Sequence, residues 1–267
     1  MSSENIKIKI ENNVAIMSLA RNEHINALSV EFAYEITGAV KSLMADDSVR
    51  VIILNSDARI FCAGLDLKAM TAGGVDGTPK TTIAFPQTFE PLLECCNIME
   101  KCPKPIIAAV HGKCVGGGLD IISACDIRMC TEDATFSLRE VAIGIAADMG
   151  VLQRLPLIIG QGFTREMAYT AKFFTAREVE RMGLMNHVYP DKDTMMREAK
   201  KLALEIASMP PLAVQNTKDI MNFSRNLTIH EGMMYAIHKN MVLFFTADTR
   251  EALTAFMEKR KPVFKGE

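Results

Sequence analysis

An apolar run, Ile106 to Val110, ends in His111-Gly112 and is soon followed by the triplet Gly116-Gly117-Gly118 and a second apolar segment, Leu119 to Cys125. The order strand, glycine turn, helix constrains the rest of the chain. Consecutive glycines at such a turn let a ligand approach the main chain, and the first helical N–H groups point outward with the positive end of the helix dipole behind them. A turn of this kind can hold a developing oxyanion. Three carboxylates follow closely: Asp120 in the first helical turn, then Glu140 and Asp148 in an otherwise apolar, glycine- and alanine-rich passage. Carboxylates around an oxyanion nest suggest proton transfer.

The flanking sequence continues in units of strand and helix. Ile6, Ile8 and Ile10 alternate with polar residues, and after Asn12-Asn13 the run Val14 to Leu19 completes an expected hairpin. Ser29 is placed to cap a helix whose Phe32, Ile36, Ala39, Val40 and Leu43 share one face, and Val49 to Leu54 is an apolar strand. Phe61 to Lys68 reads as a small-residue loop entering a helix, Thr71 to Lys80 as a mobile Gly/Thr-rich loop, and Phe89 to Lys101 as a helix stopped by Pro103 and Pro105. Ile127 to Cys130 and Ala134 to Phe136 are short strands. From Val151 the pattern becomes helical, with a capping box at Thr175 to Glu178 and four helices over Thr194 to Ser208, Pro211 to Phe223, Thr228 to Phe245 and Asp248 to Lys261. Asp248 and Glu251 form a further capping pair. The expected layout is an α/β core over residues 1–195 and a helical region over 196–267 that packs on the core or on a neighbouring subunit.

With 49% hydrophobic residues over 267 positions the chain can bury a large core. Thirty basic against 32 acidic residues leave a net charge of -2, which argues against nucleic acid or a membrane surface as partner and favours a small-molecule substrate. The opening MSSENIKIKIENN has no secretory or transit-peptide pattern, and Lys265-Gly266-Glu267 is not a peroxisomal tripeptide. A soluble intracellular protein, cytoplasmic or of the mitochondrial matrix, is expected. The seven cysteines sit mostly in apolar segments without a C-x-x-C pair, so buried free thiols are expected rather than a metal or redox site.

Taken residue by residue, Asp120 is most simply an acid complementing its own helix dipole, and Asp148 a cap for the helix that follows. Glu140 resists such an account, because a carboxylate among Val141, Ala142 and Ile143 is costly to bury without a use. His111 reads as a hydrogen-bonded turn residue. The glycine spacing is not G-x-G-x-x-G and no Walker lysine follows, which removes a nucleotide site.

The motifs taken together resemble the crotonase, or enoyl-CoA hydratase/isomerase, superfamily over nearly the whole length. They are Asn26-Ala27-Leu28, Phe61 to Leu67, Gly116 to Asp120, Cys125 to Arg128, Gln153-Arg154-Leu155-Pro156, Ala176 to Gly183 and Phe256 to Phe264. The resemblance implies a spiral of strand-strand-helix units, a C-terminal helical region building trimers or dimers of trimers, an acyl-CoA substrate and no separate cofactor or metal. It puts the oxyanion donors on the N–H groups of Leu65 and Gly117, the coenzyme A arm along Ala63, Gly64, Leu65, Asp66, Leu67 and Lys68, and Phe256 and Lys259 near a neighbour's coenzyme A. Hydratases of the family carry glutamates at the positions of Asp120 and Glu140 and glycine at that of Asp148. The triple Asp120, Glu140, Asp148 instead resembles the dienoyl-CoA isomerase subgroup, which implies Glu140 as base, Asp148 as acid and Asp120 as the group that keeps their protonation states apart. The alternatives within this resemblance are a hydratase or another enoyl-CoA isomerase, thioester hydrolysis or decarboxylation, and a non-catalytic RNA-binding or assembly member.

Overall fold

A computed structural model describes residues 3–72 and 78–267, with the backbone alone at 70–72. Strands β1 (Ile6–Glu11) and β2 (Val14–Leu19) form the expected hairpin, turned at Asn12 and Asn13, whose φ angles of 50° and 64° asparagine tolerates. From β2 onward the large sheet is parallel, adding β3 (Val51–Ser56), β4 (Ile106–Val110), β6 (Ile127–Thr131) and β9 (His187–Tyr189) in the order β1-β2-β3-β4-β6-β9. A second sheet holds β5 (Lys113–Val115), β7 (Thr135–Ser137) and β8 (Phe174–Thr175), and the isolated bridge of Cys62 to Cys114 extends it. The units that begin at β3, β4 and β6 thus each give a long strand to one sheet, a short strand or the Cys62 bridge to the other, and then a helix, as the spiral expectation requires.

Both faces of the large sheet are covered, which is why β4 is apolar and buried throughout and β3, buried throughout, is apolar from Val51 to Leu54. On one face lie α1 (Val30–Ala45), capped by Ser29 through Phe32 N–H, and α3 (Pro79–Lys101). On the other lies α7 (Lys192–Ala207), which sets Met195, Ala199, Ala203 and Ala207 against Val14, Val51, Ile53, Ile107, Ala109 and Met129. The i, i+4 spacing of small residues lets that helix sit close to the strands.

Helix α3 starts well before Phe89, because Thr78 caps it and Pro79 fits its first turn. The expected mobile loop from Thr71 to Lys80 is correspondingly helical at both ends, through α2 (Leu67–Ala72) and α3, and 73–77 lie outside the described residues. The stretch after Val151 is not wholly helical either. Between α5 (Val151–Thr170), α6 (Ala176–Met182) and α7 it gives β8 and β9, each too short to show an alternation.

Helices α8 (Pro211–Phe223), α9 (Ile229–Leu243) and α10 (Ala247–Glu258) close the chain. Buried Lys218 of α8 donates to Asp126 Oδ2 at 2.7 Å and to the carbonyls of Met99 and Lys104, and Asp126 Oδ2 also accepts Ile106 N–H at 2.7 Å. In α9 Gly232 is buried, whereas Ile229 (85% exposed), Met233, Ile237 and Met241 face outward. Thr246, not Asp248, caps α10; buried Asp248 accepts Lys265 N–H and Gly266 N–H, and Glu251 pairs with Arg260, so the expected capping pair ties down the C-terminal segment instead. Among the described residues no helix is long and apolar enough to cross a membrane, and no cluster of side chains could hold a metal ion.

Candidate active site

Two glycine turns from successive units meet at a cavity of about 100 Å³ that brings together Ala63, Gly64, Leu65, Leu67, Gly117, Asp120, Glu140 and Asp148. Gly64 has φ 95° and Gly116 φ 48° with ψ -117°, backbone that other residues rarely adopt. They pack against each other: a Cβ on Gly64 would meet Val115 O at 3.1 Å, and one on Gly116 would meet Gly64 Cα at 3.8 Å and Glu140 Oε1 at 2.8 Å. The residues after these glycines are Leu65 and Gly117. Leu28 pairs around Leu65, its N–H donating to Gly64 O at 2.7 Å and its carbonyl accepting Asp66 N–H at 2.8 Å, which leaves Leu65 N–H unused. Gly117 opens α4 (Gly117–Ser123), where an N–H has no acceptor within the helix. Neither N–H donates a hydrogen bond among the described residues. Two free N–H groups on one cavity form a donor pair for an oxyanion.

Asn26 holds the first of these turns in place. Its buried side chain donates to Ser56 Oγ at 2.8 Å and Phe61 O at 2.9 Å while accepting Arg21 N–H at 2.9 Å. Leu28 packs against the second turn, with Cδ1 2.7 Å from the point a Cβ on Gly117 would occupy.

The three carboxylates stand in three different surroundings. Asp120, 1% exposed, accepts Val151 N–H at 2.8 Å, so it ties α4 to the first turn of α5. Burial above all, with the charges of Glu140 and Asp148, pushes its carboxyl up to about 7, against the hydrogen bond from Val151 and the charge of Arg154. Glu140 opens a single turn of 3-10 helix, and its Oε2 is buried without a partner. Burial raises its pKa, the hydrogen bonds from its own N–H and that of Arg139 oppose the shift, and the charge of Asp148 adds to it. Asp148 lies at the exposed rim, its carboxyl raised by partial burial. It does not cap α5 as expected: the N-cap is Gly150, and Val151 N–H in the first turn goes to Asp120.

The family model for enoyl-CoA hydratase/isomerase matches residues 9–267. The chain belongs to the enoyl-CoA hydratase/isomerase family. A protein of Dictyostelium discoideum named Delta(3,5)-Delta(2,4)-dienoyl-CoA isomerase, mitochondrial, is 39% identical over 94% of this chain and 87% of its own length. An Arabidopsis thaliana protein of the same name, peroxisomal, is 36% identical over 98% and 96%. A crystal structure of an enoyl-CoA hydratase from Bacillus anthracis is 30% identical and covers 98% of this chain and 100% of that one, with a TM-score of 0.91. The crotonase resemblance and the α/β spiral it implied therefore stand.

Not every residue carried over from the family reaches the cavity of this enoyl-CoA hydratase/isomerase. The buried carboxylate of Asp66 bonds Arg21 Nη1 at 2.9 Å and Ala69 N–H at 3.2 Å, which makes it the cap of α2 and an anchor for the loop. Lys68 is exposed outside the lining, as are Phe256 (84% exposed) and Lys259, the left-handed residue that ends α10. His111 Nε2 donates to Ala58 O at 2.9 Å and is a hydrogen-bonded turn residue, as expected. Ile143 and Ile145, exposed apolar residues, and Arg139, whose Nη1 donates to Ala171 O at 2.9 Å, also line the cavity, beyond the residues expected from the motifs. Two isoleucines around Gly144 in an otherwise small-residue passage were the available signal.

The position of Asp120 has a cost that thermal unfolding can read. An ordinary Asp titrates near ~3.9, whereas this one does so at about 7 in the folded protein. The folded state therefore holds the extra proton between those values, and stability falls as the pH rises through that window. Asp120→Asn keeps an acceptor for Val151 N–H and removes the buried charge. Its melting temperature is expected to exceed that of the wild type by more at pH 8 than at pH 4; a pH-independent difference would show that Asp120 is not buried as an acid.

Proposed function

We propose that this enzyme isomerises 3,5-dienoyl-CoA to 2,4-dienoyl-CoA in fatty acid β-oxidation. The observation that carries the reading is the single cavity in which Asp120, Glu140 and Asp148 surround the free N–H groups of Leu65 and Gly117. Moving the diene into conjugation requires taking a proton from the α-carbon and returning one to the far carbon. Glu140, beside Gly116, takes the α-proton; the electron pair moves to the thioester oxygen, which Leu65 and Gly117 N–H hold as the dienolate forms. Asp148 then gives its proton to the far carbon and the thioester carbonyl is restored. One acid must be ionised and the other protonated; burial raises both carboxyls, while the backbone N–H groups of Glu140 and Arg139 hydrogen-bond the Glu140 carboxylate and favour its charged form. Asp120 serves to keep those two states apart. No cofactor enters, since coenzyme A is part of the substrate.

The loop Ala63 to Lys68 takes the coenzyme A arm through its backbone, with Lys68 toward phosphate, and Phe256 and Lys259 serve a neighbouring subunit's coenzyme A. In this scheme residues 1–195 carry the acyl-CoA site and 196–267 the assembly surface, in a trimer or dimer of trimers. The apolar side chains that α9 leaves exposed, continued by Phe244 and Phe245, support it. Light scattering should find three or six subunits per particle, and a stable monomer at micromolar concentration would refute the assembly. We place the protein in an aqueous intracellular compartment.

The deciding assay compares a 3,5-dienoyl-CoA with a simple 2-enoyl-CoA by ultraviolet absorbance. The diene should gain conjugated absorbance quickly while the enoyl thioester hydrates slowly; faster hydration would make the enzyme a hydratase.

A further inference from the structure

The isomerase reading, on which this inference rests, leaves the two acids inverted after each turnover. Glu140 then carries the proton from the α-carbon, and Asp148 has lost the one given to the far carbon. Both must be reset before the next substrate, and the structure gives them different routes. Asp148 and Met149 form a wall between two cavities. One is the catalytic cavity; behind the wall lies a wider one of about 600 Å³, lined also by Asn97, Glu100, Gln153 and Arg154 and reaching solvent past the exposed Gln153. Glu140 lines the first and not the second.

The wall is braced from behind. Gly150, at φ 107°, leaves a notch in which a Cβ would collide with Arg154 Nη1. Arg154 Nη1 donates to Met149 O at 3.3 Å, Nε to Glu100 Oε2 at 2.8 Å and Nη2 to Asn97 Oδ1 at 2.8 Å, and Glu100 also pairs with Arg225. The motif Gln153-Arg154 thereby acquires a role: Arg154 is a positioning residue for the strand of backbone that presents Asp148, and Gln153 stands at the mouth behind it.

We propose that this second, polar cavity is the proton port of Asp148, through which the acid exchanges its proton with water while the acyl group is still bound. Water supplies one proton to the Asp148 carboxylate, and the matching proton leaves Glu140 for solvent by way of the catalytic cavity that Glu140 lines. No oxidant, reductant or transfer between the two acids is needed. The port predicts that Asp148 can remove and replace the far-carbon proton of bound 2,4-dienoyl-CoA and pick up a solvent proton in between.

The test incubates the full-length enzyme in deuterium oxide with 2,4-dienoyl-CoA, to read deuterium entering the far carbon, and with 3,5-dienoyl-CoA, to read exchange at the α-carbon. Wild type is compared with Gln153→Phe, whose ring fills the mouth of the port without touching the catalytic cavity. Far-carbon exchange should be present in wild type and several-fold slower in Gln153→Phe, with α-carbon exchange unchanged. The port is overturned if the active wild type shows no far-carbon exchange, if Gln153→Phe leaves it unaltered, or if both exchanges fall together. Deuterium passing from a labelled α-carbon to the far carbon in ordinary water would equally overturn it. A wild type that fails to isomerise any dienoyl-CoA would instead refute the functional reading itself, which the ultraviolet assay records separately.

Discussion

Glu140→Gln is expected to bind acyl-CoA as the wild type does and to turn it over at least about a hundredfold more slowly. The amide has the shape of the carboxylate, so the contact with the Gly116 notch and the two free N–H groups should persist. What disappears is the group that accepts the α-proton. Exchange of that proton with deuterated solvent, followed by nuclear magnetic resonance, should vanish with turnover. If exchange continues at the wild-type rate, the base is Asp148 or Asp120. Because burial raises the pKa of Glu140, the wild-type rate should decline on the acid side at a pH above that of an ordinary carboxylate.

Asp148→Asn should lose turnover by a similar factor of about a hundred or more but keep α-proton exchange. The substitution removes the acid that completes the reaction while leaving Glu140 and the oxyanion donors in place, so the dienolate forms, takes a proton back from Glu140 at the α-carbon and leaves as unchanged substrate. Partial burial raises the pKa of Asp148 as well, which keeps it protonated to higher pH; ionisation then removes the acid form and limits the alkaline side of the wild-type profile. Loss of exchange together with turnover in Asp148→Asn would mean that Asp148 holds Glu140 in its working state, and the assigned roles would fail.

Much of this arrangement was legible because it is built from local chemistry. Glycine triplets, a Ser29 cap and apolar runs state their conformations in a few adjacent residues, and the order of motifs carried the spiral. The proton acceptors of the amides were harder to read. Val151 N–H goes to Asp120 across 31 positions, a pairing that depends on how α4 and α5 cross, whereas the local pattern makes Asp148 the cap of the helix that follows. The partner of Asp66 was hidden for a similar reason: its loop lines the cavity, but its carboxylate turns away to Arg21, 45 positions earlier. The brace from Arg154 to Glu100 and Asn97 joins α5 to α3 and leaves no periodic trace in either helix.

The ammonium of Lys218 beside Asp126 bears on how the molecule comes apart. Asp126 also holds the first amide of β4, and Lys218 satisfies the carbonyls of Met99 and Lys104 just ahead of that strand. Removing one member of a buried ion pair costs roughly 3–5 kcal/mol, a large share of the about 5–15 kcal/mol that holds a typical domain together. Shortening the chain ahead of α8 would strip that ammonium away, leaving the Asp126 carboxylate without its counter-charge and two carbonyls without their donor at the root of the strand that carries the oxyanion turn. The late helices are thus a condition for the cooperativity of the early sheet: melting should be one transition, and limited proteolysis should yield no surviving fragment that ends before Lys218.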